Sequence, residues 1–213
     1  MRRGFLVVLF LVAVGVASEA AASPVLTIYT NRAAWEAAVG GLFAEQDFDS
    51  YTSPVSYEFS PIDVGDFTVS VSGSTFGTGW HQIGPPTFND VNGTPDINAA
   101  TGATGGTSFT FDFNINAFGA NWGGISDSRV TSINVGGTIV AIPNLDGGFW
   151  GLTSDTPFST SLLFLSSGAA DGFAMDNVVY SAAGATVPEP ATLGLLSVGL
   201  LALRARRRKA GAE

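Results

Sequence analysis

Two stretches of the chain alternate apolar and polar residues with a period of two. Phe67, Val69 and Val71 interleave with Thr68 and Ser70, and Phe109, Phe111, Phe113 and Ile115 interleave with Thr110, Asp112 and Asn114. Successive side chains of a strand point to opposite faces, so the pattern demands strands buried on one side and wet on the other. A composition with 27 Gly, 16 Phe and only 13% charged residues favours the same outcome, because Gly supplies turns and Phe and Thr suit strands.

Further strands are predicted at Val25–Thr30, Phe149–Thr153, Ser161–Leu165 and Phe173–Tyr180, separated by clusters of Gly, Ser, Asp and Pro. Val130–Val135 and Ile139–Ile142 flank Gly136-Gly137, a pair that tolerates the positive φ angles of a tight hairpin. Asn31 can cap one short helix over Arg32–Val39, ended by Gly40-Gly41. Many short strands at this spacing predict a mainly β domain over residues 23–180, a β-sandwich of jelly-roll type. Residues 181–186 are small and polar enough for a linker.

The body is strongly acidic. Between Ser23 and Val187 stand 15 Asp and Glu against Arg32 and Arg129, a formal charge of −13, whereas the remaining Arg and Lys lie at the two ends. Such a domain repels nucleic acid and attracts cations. The chain has no Cys, which excludes disulfides, thiolate metal sites and Cys nucleophiles.

Both ends read as addresses. Arg2 and Arg3 precede an apolar run over Phe5–Val16, and Ala20-Ala21-Ala22 offers the small residues that a signal peptidase reads. Residues 1–22 are therefore expected to be a cleaved secretory signal peptide, with an uncleaved anchor as the competing reading. At the other end come Val187, Pro188, Glu189 and Pro190, then the apolar stretch 191–203, then a basic cluster at 204–209 that includes Arg204, Arg206, Arg207 and Arg208. The prolines keep the chain extended and stop the following helix from growing backwards, which presents Glu189. A helix over 191–203 spans ~20 Å against a bilayer core of ~30 Å. The arginines would snorkel to the inner leaflet and hold the tail inside. Such a helix is a stop signal rather than a durable anchor.

The Pro-Glu-Pro core, the apolar helix and the terminal Arg cluster together resemble the PEP-CTERM sorting signal of exported proteins in exopolysaccharide-producing Gram-negative bacteria. The resemblance covers 187–209. It implies recognition by exosortase, a membrane-embedded transpeptidase that cuts near the motif, after a transient stay in the inner membrane. A simple tail anchor is the competing reading. The segments FGANWGG at 118–124 and DGFAMDNVVY at 171–180 more loosely resemble the lectin-like or carbohydrate-binding-like bodies of other PEP-CTERM proteins. That likeness implies association with exopolysaccharide or biofilm at the cell surface or in the matrix. The expected role is non-enzymatic, and the alternative is an extracellular polysaccharide-active hydrolase.

Three sets of residues are candidates for chemistry. Asp90, Asn92 and Asp96, and separately Asp171, Asp176 and Asn177, are two oxygen-rich clusters suited to structural calcium. Trp80, Trp122 and Trp150 are candidate sugar-stacking rings, with core burial as the competing reading. Asp112, Asp171 and Asp176 are carboxylates available to a glycosidase. His81, the single histidine, lies in the Gly-rich stretch 77–84 with no Gly-x-Ser-x-Gly elbow, and is expected to be a partly exposed loop residue.

Overall fold

The computed structural model describes residues 24–73, 79–87, 89–125, 129–158, 161–166 and 170–184. The expected signal peptide, sorting motif and membrane helix lie outside these residues. Among the described residues no helix is long and apolar enough to cross a membrane.

The described chain is mainly β, with one helix and fourteen strands in a single curled antiparallel sheet. Its spine is β14 (Asp171–Ala182), which pairs along one edge with β9 (Ile115–Gly123). Beyond β9 come β12 (Gly148–Phe158) and β1 (Leu26–Tyr29). The other edge of β14 is shared between β7 (Asp96–Thr101) and β2 (Ala44–Gln46). From β7 the sheet continues to β6 (Gln82–Gly84) and β3 (Val55–Ser56). This is the first wing.

The second wing is built on β8 (Gly106–Phe111), which pairs with β5 (Phe67–Ser72) on one side and β13 (Ser161–Ser166) on the other. β4 (Ile62–Asp63) extends it past β5, and β10 (Thr131–Val135) and β11 (Thr138–Ala141) extend it past β13. A single Thr101–Gly106 pair between β7 and β8 joins the wings.

The wings face each other across an aromatic core. Phe109 and Phe118 stand 6.1 Å apart by ring centroids, Trp122 and Phe164 5.7 Å, Phe164 and Phe173 5.8 Å, and Phe67 and Tyr180 5.7 Å. All four pairs meet edge to face, the geometry that aromatic quadrupoles favour. Phe67 and Val69 on β5 and Phe109 and Phe111 on β8 are buried, as the alternation requires. The second alternating run nevertheless serves two strands. β8 ends at Phe111, and β9 begins at Ile115 in the opposite wing, so Asp112–Asn114 form the corner between wings.

Helix α1 (Arg32–Ala38) is capped by Asn31, whose side chain accepts from the Ala34 amide at 3.0 Å. It closes the outer face of the first wing. Its one buried residue, Trp35, packs with Phe149, Val179 and Ala117, and its indole N–H donates to the Leu152 carbonyl at 3.1 Å. The β10–β11 hairpin turns where expected: Gly136 and Gly137 have φ of 56° and 90°, the pair of positive values that a type I′ turn needs.

The linker expected at 181–186 is shorter than its composition suggested. Ser181 and Ala182 belong to β14, Ser181 is buried with its hydroxyl donating to the Leu42 carbonyl at 2.6 Å, and the Ala183 amide donates to the Asn114 carbonyl at 2.8 Å.

Candidate functional site

The two acidic clusters of the sequence form one. Strand β14 bulges against β9 after Asp176, and Asn177 takes a φ of 50°, a left-handed conformation that Asn tolerates better than most residues. The bulge sets Asp176 against the 90–94 loop. Its Oδ2 accepts from Asn92 Nδ2 at 3.0 Å, from the Thr94 hydroxyl at 2.9 Å and from Asn177 Nδ2 at 2.8 Å, and its Oδ1 accepts from the Asn177 amide at 2.6 Å. Asp90 Oδ1 accepts from the amides of Asn92 at 3.0 Å and Gly93 at 2.5 Å.

The loop is pinned from behind. Asn89 Nδ2 donates to the Gly172 carbonyl at 2.8 Å, and Gly123 at the end of β9 lies so close that a Cβ there would stand 2.8 Å from the Asp90 carbonyl oxygen. The two segments that resemble carbohydrate-binding-like bodies thus meet at the same loop, one through Gly123 and the other through Gly172 and Asp176.

Asp96, the first residue of β7, forms the floor of this corner and is fully buried. Asn98 Nδ2 donates to its Oδ1 at 2.5 Å, and its Oδ2 has no hydrogen-bond partner. Burial first, then the charges of Asp176 and Asp90, push its carboxyl up to about 7, against a smaller opposing effect of the Val91 amide. Asp176 is also raised by burial, and the charge of Asp49 adds to this, while its donors from Asn177, Thr94 and Asn92 pull the other way. Asp90 and Asn92 are exposed, so the corner has a buried floor and an open mouth. Among the described residues, no three His, Asp or Glu side chains stand at the spacing that holds a metal ion.

Asp171 departs from its predicted partners. It is buried five residues before Asp176 on β14, where its Oδ2 accepts from the Thr131 hydroxyl at 2.6 Å. Five residues of strand span roughly 17 Å, too far for the paired carboxylates of a glycosidase. Asp112 is exposed at the corner between wings, away from both.

Trp122 and Trp150 are corrected as sugar-stacking candidates: both are 0% exposed, because their side of the first wing faces the second wing. Trp122 Nε1 donates to the Trp150 carbonyl at 3.1 Å, and the two indoles meet edge to face at 6.1 Å. Trp80 is half-buried over Gly172. The reading of His81 as a partly exposed loop residue is also corrected. It is buried just before β6, packs edge-on against Tyr57, and places Nε2 3.2 Å from the Ala100 carbonyl.

Open aromatic surface lies elsewhere. Phe59 is 84% exposed. An open groove of about 380 Å³ is lined by Leu42, Phe43, Phe113, Tyr180 and Asp66, and the Tyr180 hydroxyl donates to Asp66 Oδ2 at 2.9 Å. Sequence reasoning missed both. Phe113 read as one more core residue of an alternating strand, and no local signal links Asp66 to Tyr180.

The final described turn, Ala183–Gly184, follows β14, and the Pro-Glu-Pro segment comes shortly after it in the sequence. Residues 186–209 match the family model of the PEP-CTERM protein-sorting motif. This chain carries a PEP-CTERM sorting motif. The match supports an exported protein sorted through exosortase and includes Val187, Pro188, Glu189, Pro190, Arg204, Arg206, Arg207 and Arg208, all outside the described residues. No curated protein matches this chain. Among solved structures it is similar to the enzymatically active domain of tailspike protein 4 of bacteriophage CBA120, at 16% identity and a TM-score of 0.32. That alignment covers 56% of this chain and 20% of the tailspike chain.

Proposed function

We propose that this is an exported, non-enzymatic protein of the cell surface or extracellular matrix, delivered through exosortase, whose β domain associates with exopolysaccharide. The observation that carries the reading is the sorting motif at 186–209. Residues 1–22 are then the signal peptide, 191–203 the transient membrane helix and 204–209 its cytoplasmic stop, and the curled sheet is a sandwich of jelly-roll type.

The place where the domain ends supports this reading. Its last hydrogen bond described, from Ala183 to Asn114, comes before the motif begins, so a cut near Pro188 would leave every described strand intact. Glycan contact would fall on the exposed Phe59 and on the half-buried Phe113 in the groove beside the exposed Asp66 carboxylate. Aromatic faces pack against pyranose rings, and a carboxylate accepts from sugar hydroxyls.

Replacing Pro188, Glu189 and Pro190 together with alanine tests delivery. Export should persist while the full-length chain stays in the inner membrane. Glu189→Gln, which keeps both prolines and the extended backbone, should also be processed poorly. Normal maturation of both variants in cells that contain an exosortase would overturn the reading. For the glycan role, Phe59→Ala and Phe113→Ala should weaken retention on the cell's own exopolysaccharide, and a reducing-sugar release assay on the same samples tests the hydrolase alternative.

A further inference from the structure

A strand at the edge of a sheet presents a row of unpaired N–H and C=O groups, and folded proteins blunt such edges by keeping them short or by placing charge on them. The described edges of this sheet are blunted in these ways with one exception. Strands β2, β3 and β4 are two or three residues long, β2 carries Glu45 and β4 carries Asp63. Strand β1 begins beside Asp155, whose Oδ1 accepts from the Val25 amide at 2.9 Å. Strand β11 ends the second wing, pairs among the described residues with β10 alone, and has no charged residue.

The hairpin register fixes which backbone groups of β11 are open. Val135 and Thr138 close the two-residue turn, and the Ile142 amide donates to the Thr131 carbonyl at 2.8 Å. Hydrogen-bonded pairs recur at every second position of an antiparallel ladder, so Thr138, Val140 and Ile142 turn their N–H and C=O groups toward β10. Ile139 and Ala141 turn theirs outward. The side chains follow the same alternation: Val140 packs against the core, whereas Ile139 is 63% exposed and Ala141 is exposed beside it.

We propose that β11 docks on β11 of a second copy of this chain, antiparallel about a two-fold axis that passes by Val140. The open groups of Ile139 in one copy then meet those of Ala141 in the other, and the Ile139 side chain lies beside the Ala141 methyl on the outer face. Charge favours this approach over others. A body of formal charge −13 repels its own copies, yet β5, β8, β10, β11 and β13 contain no Asp, Glu, Lys or Arg, so the second wing is where two copies meet with least repulsion. An uncharged edge gives a foreign charged partner nothing to select, whereas an antiparallel edge is complementary to itself. Pairing over four residues places the contact in the weak, transient class of interfaces. The inference is independent of the sorting and glycan readings.

The chain has no Cys, so one introduced Cys reports the contact. Residues that face each other in a non-hydrogen-bonded antiparallel pair have Cα atoms about 4.5 Å apart, within disulfide range, and Val140 faces its own copy in this way. The test uses the full-length chain in detergent, oxidised with copper phenanthroline and run on a non-reducing gel. Val140→Cys should form a disulfide dimer at least about tenfold faster than Phe59→Cys, although Phe59 is far more exposed and lies off this edge. Added salt should speed the Val140 cross-link, because it screens the repulsion between acidic bodies. In the Val140→Cys chain, Ile139→Glu and Ala141→Pro should each slow it to the Phe59→Cys rate. The first places a charge on the edge, and the second removes an outward N–H that β10 does not use. Melting curves of the reduced chains check that both variants fold. Equal cross-linking at Val140 and Phe59 overturns the proposal, and so does a Val140 cross-link that salt slows or that neither variant slows.

Discussion

Strand β14 passes through two interiors within a few residues. At Phe173 and Met175 it lies in the aromatic core with Trp122 and Phe164, where packing of apolar surface dominates. At Asp176 it enters the acidic corner, equally buried, where three carboxylates share neutral donors and one oxygen goes unanswered. The first environment is non-directional, and its stability grows with the area removed from water. The second depends on individual hydrogen bonds and on charge, so its stability is set by which partners are present rather than by buried area.

The largest effect should come from the core. Trp122→Ala removes a ring that contacts Trp150, Phe164 and Phe173, and should destabilise the domain by about 3–5 kcal/mol in urea denaturation. A smaller loss would mean that the wings collapse into the cavity and that the core is less rigid than the corner. Gly123→Ala probes the seam between the two regions. The new methyl would press on the Asp90 carbonyl oxygen, displace the loop and cost about 1–3 kcal/mol in the same measurement. No change would show that the loop gives way freely.

Hydrogen bonding inside the core gives a finer contrast. Trp122 donates its indole N–H to the Trp150 carbonyl, while the buried Trp150 Nε1 has no partner. Trp122→Phe should therefore cost about 1 kcal/mol more than Trp150→Phe, read as the difference between the two urea midpoints. Equal losses would assign the whole effect to volume.

The smallest effect concerns His81. Burial lowers its pKa, and the Ala100 carbonyl and the Glu58 charge only partly offset this, while Tyr57 packs against the ring. The folded chain then binds a proton less readily than the unfolded one. The contribution of His81 is fully present above the unfolded value of about 6.5 and declines as pH falls through the window below it. Melting midpoints of the wild type and His81→Phe, compared pH by pH, should converge or cross as the buffer is acidified from 8 to 5. A constant gap would show that His81 does not titrate differently on folding.

The elements legible in the sequence were those with a local cause. Alternation at Phe67–Val71 and Phe109–Phe111, the Asn31 cap and the Gly136-Gly137 turn each involve residues close together in the chain, and each was found in the structure. Strand β7, Asp96–Thr101, gave no such signal, because it is buried on both faces and does not alternate. The short β2, β3, β4 and β6 are held by their partners rather than by their own pattern.

The sequence by itself determined the mainly β class, the capped helix, the acidic body and the sorting motif, because these are written in residue type and short spacing. The tertiary structure alone decided which Asp residues share a corner, that Asp171 bonds Thr131 instead, that Trp122 and Trp150 face inward, and that Asp66 meets Tyr180. The physical reason is that these outcomes depend on strand pairing across long separations: 84 residues divide Asn92 from Asp176, and 114 divide Asp66 from Tyr180. Period and propensity act over a few residues, and only the curling of the sheet brings such distant groups within hydrogen-bonding distance.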